Sequence, residues 1–177
     1  LDSRYFRDDP IRDSKSNQYL PNRAGTILGV AQWNWMEKIL ADSEADIHII
    51  ANGIQVIPEE HSYEKWSNFP LERFKLFDLL VKYDVRRPIL LSGDRHLSEI
   101  SKIYWKDQPI YEITSSGLTH SYEEVGNEPN KYRISALISQ KSFAILQFDW
   151  SDPKGPQISS KLLGNKGQVF DELRLEF

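Results

Sequence analysis

Two stretches of the chain repeat their apolar residues at helical spacing. In LGVAQWNWMEKILADS (28–43), Val30, Trp33, Met36 and Leu40 fall on one face, and Trp35 and Ile39 widen the stripe. In PLERFKLFDLLVKYDV (70–85), Leu71, Phe74, Phe77 and Leu80 do the same. Pro70 and Glu72 suit a first helical turn, because proline lacks only an amide that has no partner there and a carboxylate favours the positive end of the dipole. Each predicted helix is followed by a short β-branched or aliphatic run, DIHIIANG and then PILLS, which reads as a buried strand. Helix, strand, loop, helix, strand is the order that favours parallel strands with crossover helices.

After residue 100 the pattern changes. IYEITSS, SFAILQFDW, PQISSKLL and DELRLEF are short strand candidates between stretches rich in Gly, Pro and Asn, and Leu173, Leu175 and Phe177 alternate with Arg174 and Glu176. No helix is expected there. Residues 5–26 and YEEVGNEPNKY (122–132) read as polar loops. The expectation is one α/β domain over 1–177, a layered sandwich with helices covering strands on one side.

The composition narrows the function classes. With 40% hydrophobic residues, five Trp, eight Tyr and eight Phe, the 177-residue chain can fill a core. A net charge of −4 and no Lys/Arg-rich stretch argue against nucleic acid as a partner. There is no cysteine, so disulfides and thiolate chemistry are excluded while the compartment stays open. No apolar run approaches the roughly 20 residues of a membrane span. Phosphate-cradling glycine loops and dinucleotide fingerprints are absent, so neither ATP nor NAD is implied. The chain opens on LDSRYFRDD without Met or leader, which reads as a piece of a longer protein.

In open α/β sheets, ligands sit beyond the carboxyl ends of the strands. Two loops qualify: residues 53–70, with Gln55, Glu59, Glu60, His61, Trp66 and Asn68, and GDRHLSE at 93–99. If Leu1 ends a strand, Asp2 and Arg4 belong to the same edge. Asp94 and His96 offer oxygen and nitrogen donors suited to Zn, Mn or Fe, with Gly93 allowing the turn that aims them. The competing reading is a polar turn, with Asp94 as a cap and His96 or Arg95 paired to Glu99. Ser115 and Ser116 near His120 lack the nucleophile elbow of a serine hydrolase and read better as acceptors for backbone groups. His48, within an apolar run, reads as a core or sheet-face histidine. His61 is either a solvated loop residue or a substrate contact. The loop that carries it is long for a strand-to-helix connection, of which most run about 2–6 residues.

Taken in order and spacing, LDSRYFRD, LGVAQWNWMEKIL, IQVIPEEHSYEKWSNFPLERFKLFDLL, LLSGDRHLSEIS and YEITSSGLTHSY resemble the carboxy-terminal part of the PhoD-like alkaline phosphatase/phosphodiesterase family. The resemblance covers about residues 1–122. It implies a calcineurin-like metallophosphoesterase fold, a four-layer α/β/β/α sandwich of mixed sheets with helices on the outer faces. It also implies hydrolysis of small phosphate mono- or diesters with metal-bound hydroxide as nucleophile, and divalent or trivalent metal ions as cofactors, with Fe, Zn, Mn and Ca the candidates. An extracytoplasmic or secreted setting is in keeping with it.

Carried over by position, Asp94 and His96 fall on the last metal-binding motif, with Asp94 where the wider superfamily has the first His of Gly-His-x-His. Asp2 and Arg4 match the branch's LDTR segment, with Arg4 as a phosphate contact or, alternatively, paired to Asp2 or Asp94. His61 is the candidate proton donor or phosphate contact. The superfamily's Asp-x-His, Gly-Asp and Gly-Asn-His segments are missing, and ANGIQ carries no histidine. The expectation is therefore the carboxy-terminal portion of a single phosphoesterase domain, inactive alone, with the upstream half as its missing partner. The alternative is a non-catalytic binding or structural domain that keeps the sandwich without a complete metal site.

Overall fold

The structure, a computed structural model, describes residues 1–122 and 126–177. A two-rung hairpin, β1 (Ile11–Arg12) with β2 (Tyr19–Leu20), precedes helix α1 (Gly29–Ala41) and strand β3 (His48–Ala51). A single 3-10 turn at Trp66–Asn68 leads into α2 (Pro70–Lys82) and β4 (Pro88–Ser92). Then come β5 (Ser98–Trp105), β6 (Gln108–Ser115), β7 (Ser142–Asp149), β8 (Gln157–Gly164) and β9 (Val169–Leu175).

Strands β3, β4 and β6 run parallel, and β5 lies antiparallel beside β6, giving the order β3-β4-β6-β5. Strands β7-β8-β9 form a separate antiparallel sheet. Strand alternation divides the first sheet's side chains between two cores. Leu90, Ile103 and Ile110 pack with the helices, through Trp33, Met36, Leu76, Phe77 and Leu80. Ile89, Ile100, Tyr111 and Ile113 face the second sheet, through Ile158, Leu162 and Leu175. The described residues thus supply three layers, helix, sheet and sheet.

Four details depart from the sequence expectations. Only Trp33, Met36 and Leu40 of the α1 stripe are buried; Val30, Trp35 and Ile39 are exposed. Val30 stands in the helix's first turn, and Trp35 and Ile39 border a groove along β3 rather than the core. In α2 the buried face is Arg73, Leu76, Phe77, Leu79 and Leu80, so Leu71 and Phe74 turn outward. Strand β5 was not expected; its hairpin to β6 turns at Lys106 and Asp107, both at positive φ (48° and 69°), the two-residue geometry that matches strand twist. The polar stretch 5–26 contains the β1–β2 hairpin. Of the polar loop expected at 122–132, residues 123–125 lie outside the described residues.

The two edges of the mixed sheet differ. Beside β5, residues 132–138 run as an irregular fifth strand, with Lys102, Ser98 and Ile138 amides bonded across. Beside β3, among the described residues, the cover is Leu1, whose backbone nitrogen donates to the Ala51 carbonyl at 2.6 Å. That contact brings the 2–7 segment to the carboxyl ends of β3 and β4.

Candidate functional site

The site is built at the turn after β4. Asp94 and His96 both adopt positive φ, 68° and 53°, whereas Gly93 does not. The sharp turn therefore falls on the two candidate ligands and not, as expected, on the glycine. A non-glycine residue in the left-handed region costs on the order of 1 kcal/mol, and such residues cluster at functional sites. The turn is held from outside: the His96 amide donates to Ser116 Oγ at 3.1 Å. Ser115 Oγ likewise accepts the Ala144 amide at 3.0 Å, so both serines serve backbone groups.

Three segments meet here. Arg4 Nη2 donates to Asp94 Oδ1 at 2.9 Å, and Arg4 Nη1 lies 2.9 Å from Glu64 Oε2, in the 53–70 loop. Asp2 is turned to its own chain: its Oδ1 accepts the Arg4 and Tyr5 amides, both at 2.9 Å, and these bonds hold its carboxyl below the usual range. A cavity of about 280 Å³ is lined by Tyr63, Asp94, Arg95, His96 and Tyr122. Within it the His96 ring stacks on Tyr122 at 4.8 Å, with His120 edge-on at 5.0 Å. His96 Nδ1 is buried without a hydrogen-bond partner.

Arg95, between the two candidate ligands, is 4% exposed and forms the floor. Its Nη2 donates to both oxygens of Glu128 at 2.8 Å, and its guanidinium lies 4.5 Å from the Tyr63 ring centre. It does not pair with Glu99, which takes Arg133, Asn130 and Gln55 instead. Gln55 links the layers, donating to Glu99 Oε1 at 2.7 Å and Thr114 Oγ1 at 2.8 Å. Beneath it, the fully buried Glu112 accepts the Val56 and Ile57 amides at 2.8 and 2.6 Å. Burial pushes the Glu112 carboxyl up to about 7 even though those amides favour its charged form.

The 53–70 loop is packed, not solvated. Ile54, Val56, Ile57, Trp66 and Phe69 are inaccessible, and Arg73 of α2 pins its start through Val56 O, Ile57 O and Glu59. His61 is 4% exposed, and its ring centre is 6.2 Å from that of Tyr63, which lines the cavity. Its Nδ1 accepts the Tyr63 amide at 3.2 Å, which assigns the proton to Nε2, and Nε2 is buried without a partner. Burial first, then the Arg95 and Lys65 charges, push the imidazole down to about 2, so His61 is neutral at physiological pH and is a donor of a hydrogen bond rather than of a proton. The same burial and Arg95 bring the Lys65 ammonium down to about 8. His48 lies at the opposite end of β3, bonded to the Arg86 carbonyl and Ser43 Oγ at 2.9 Å each.

The geometry thus brings Arg4, Asp94 and His96 to one edge, with His61 behind Tyr63 and Asp2 occupied in the turn that carries Arg4. Sequence reasoning missed Glu64, Tyr63, Arg95, Tyr122 and Glu128. Arg95 lies inside SGDRH, and Tyr63, Glu64 and Tyr122 lie within stretches that carry the family resemblance, though none was given a role there; Glu128 had no such signal. As a metal site the donor set is partial. Asp94 and His96 supply one oxygen and one nitrogen, the orphaned His96 Nδ1 fits a ligand role, and among the described residues no group of three or more His, Cys, Asp and Glu could hold an ion.

Comparison with known proteins bears on this edge. None of the curated proteins matches the sequence. Among solved structures, that of PhoD superposes with a TM-score of 0.65 at 16% identity, covering 99% of this chain and 41% of its own. That likeness shows a shared mixed α/β fold, and this chain spans about two fifths of the PhoD chain. The family model for PhoD-like phosphatases matches residues 1–150, a stretch that contains every residue of the edge just described. The chain belongs to the PhoD-like phosphatase family.

Proposed function

We propose that this chain is the carboxy-terminal part of a metal-dependent enzyme that hydrolyses small phosphate mono- or diesters, with Asp94, His96, Arg4, Asp2 and His61 at its reacting edge. The observation that carries the reading is the Arg4–Asp94 contact, which joins the 2–7 segment to the turn after β4 in a chain of this family. Asp94 and His96 are the residues that would hold a metal, Fe, Zn, Mn or Ca; a bound cation would lower the pKa of water towards 7 and offset charge on phosphoryl oxygens.

The chain's own groups bind and orient. Arg4 offers a planar guanidinium whose paired N–H groups match phosphoryl oxygens. Asp2, an anion, serves the substrate indirectly by closing the turn that carries Arg4. His61, neutral and buried behind Tyr63, holds an unpartnered Nε2–H that would serve a phosphoryl or leaving-group oxygen only once the Tyr63 ring has moved aside. Arg95, Tyr63 and Tyr122 wall the cavity and limit water. In the intact protein the three layers are part of a four-layer α/β/β/α sandwich, a single domain whose upstream strands join at the β3 edge. The share of the PhoD chain that is covered supports this. The chain's net charge of −4 does not favour nucleic acid as the substrate, and an extracytoplasmic setting fits the family.

The test is hydrolysis of p-nitrophenyl phosphate and its bis ester by the intact protein before and after chelation. Activity that is lost with EDTA and restored by one of the four metals is expected; activity indifferent to chelation contradicts the reading. A second reading, a non-catalytic domain, draws on the incomplete donor set among the described residues. It predicts no turnover by the intact protein with any of these metals.

A further inference from the structure

Glu64 lies in the 53–70 loop and is 8% exposed. Each of its carboxylate oxygens receives a different arginine: Oε2 is 2.9 Å from Arg4 Nη1, and Oε1 takes Arg7 Nη1. Arg4 is half exposed, Arg7 is 14% exposed at its side chain, and Asp94, the other partner of Arg4, is 42% exposed. Of the two carboxylates on Arg4, Glu64 is therefore the buried and firmly held one. It fixes Nη1, while Nη2 is left at the mouth beside Asp94.

A free arginine side chain carries roughly 2 kcal/mol of rotamer entropy, and part of that is lost each time it closes on a ligand. Anchoring one nitrogen in advance removes part of that cost from binding. Arg7 completes the arrangement by occupying Oε1, so that Oε2 remains turned to Arg4. From this we infer that Glu64 is a positioning residue that holds the Arg4 guanidinium for a phosphoryl oxygen, an inference that rests on the phosphoesterase reading above. A glutamine at 64 has one acceptor oxygen for two arginines and would turn an N–H₂ group on the other.

The experiment uses the intact protein. The Kd for inorganic phosphate by calorimetry, kcat and KM with p-nitrophenyl phosphate, and Tm are measured for wild type, Glu64→Gln, Glu64→Asp, Arg4→Ala and the Glu64→Gln/Arg4→Ala double variant. Glu64→Gln is expected to raise both Kd and KM about tenfold, the scale of one hydrogen bond to a charged group, with kcat changed less than about threefold. Glu64→Asp, one methylene short, moves the same way by a smaller factor and stands in for Glu64→Gln if the latter does not fold. In the Arg4→Ala background Glu64→Gln adds less than about twofold. An unchanged Kd in both Glu64 variants, or an equal loss with and without Arg4, overturns the inference while leaving the phosphoesterase reading intact. A wild type that neither hydrolyses the ester nor binds phosphate overturns that reading and this inference with it.

Discussion

Arg4 and Asp94 meet at 2.9 Å across 90 residues of chain, both at the protein surface. An exposed ion pair of this kind contributes about 0–1 kcal/mol to stability, so its presence at a strained turn is better explained by function than by folding. Arg4→Gln in the intact protein should lower kcat/KM by about one to two orders of magnitude, chiefly through KM. Tm should fall by only a few degrees, because the buried Glu64 that Arg4 also contacts keeps its pairing with Arg7. Steady-state kinetics beside a thermal melt checks both halves.

Arg73 is predicted to be the anchor of the 53–70 loop. It is 2% exposed, and its Nε and Nη2 donate to the Val56 and Ile57 carbonyls at 2.6 and 2.7 Å while Nη1 reaches Glu59 at 2.8 Å. Lysine cannot reproduce three donors in one plane. Arg73→Lys should cost about 2–4 kcal/mol and Arg73→Ala about 3–5. Urea unfolding of the chain reads both values; a loss below about 1 kcal/mol for Arg73→Lys contradicts the anchoring role.

His61 and Glu112 set opposing pH dependences. His61 falls from 6.5 to about 2 on folding, so between those values the unfolded chain binds more protons and stability rises with pH. Glu112 rises from 4.5 to about 7, so between those values the folded chain binds more protons and stability falls with pH. From 4.5 to 6.5 the two nearly cancel, each at most about 1.4 kcal/mol per pH unit. Relative to wild type, Glu112→Gln should tilt this window upward with pH and His61→Gln should tilt it downward. Denaturant titrations at pH 4.5, 5.5 and 6.5 separate the variants; parallel curves for all three proteins would sink the assignment.

What the sequence made legible was whatever follows the apolar pattern. Helices α1 and α2 and the strands β3, β4 and β6 to β9 were readable from spacing, whereas the convergence of 2–4 with 93–99 was conditional on Leu1 ending a strand, and no strand among the described residues includes Leu1. Strand β5 was not, because Ser98, Glu99 and Ser101 look solvated yet are buried, satisfied by Ser142, Arg133 and Asn130. The same difficulty hid Arg95 and Glu64, charged residues whose burial depends on the sequence-distant partners Glu128 and Arg7. Val30, Trp35 and Ile39 misled in the opposite direction, since periodicity does not say how far along a helix the covering surface extends.

Those exposed side chains lead to a prediction about the chain alone. Ile49 of β3 is half exposed beside Trp35 and Ile39, and the outer edge of β3 has, among the described residues, Leu1 as its cover. Open apolar edges pair with other chains. The 177-residue chain should self-associate with rising concentration in sedimentation runs, and Ile49→Lys should suppress that association. A monomer at millimolar concentration would speak against an unpaired edge.

The central claim, that Asp94 and His96 hold a metal at the edge where Arg4 awaits a phosphate ester, is tested most directly by metal content and turnover measured together. The intact protein, Asp94→Asn and His96→Ala are compared by elemental analysis after dialysis and by hydrolysis of bis(p-nitrophenyl) phosphate. The account predicts that each variant loses at least one metal equivalent and about 10²-fold or more in kcat/KM, with its fold retained by circular dichroism. Variants that keep full metal content and near wild-type turnover would contradict it.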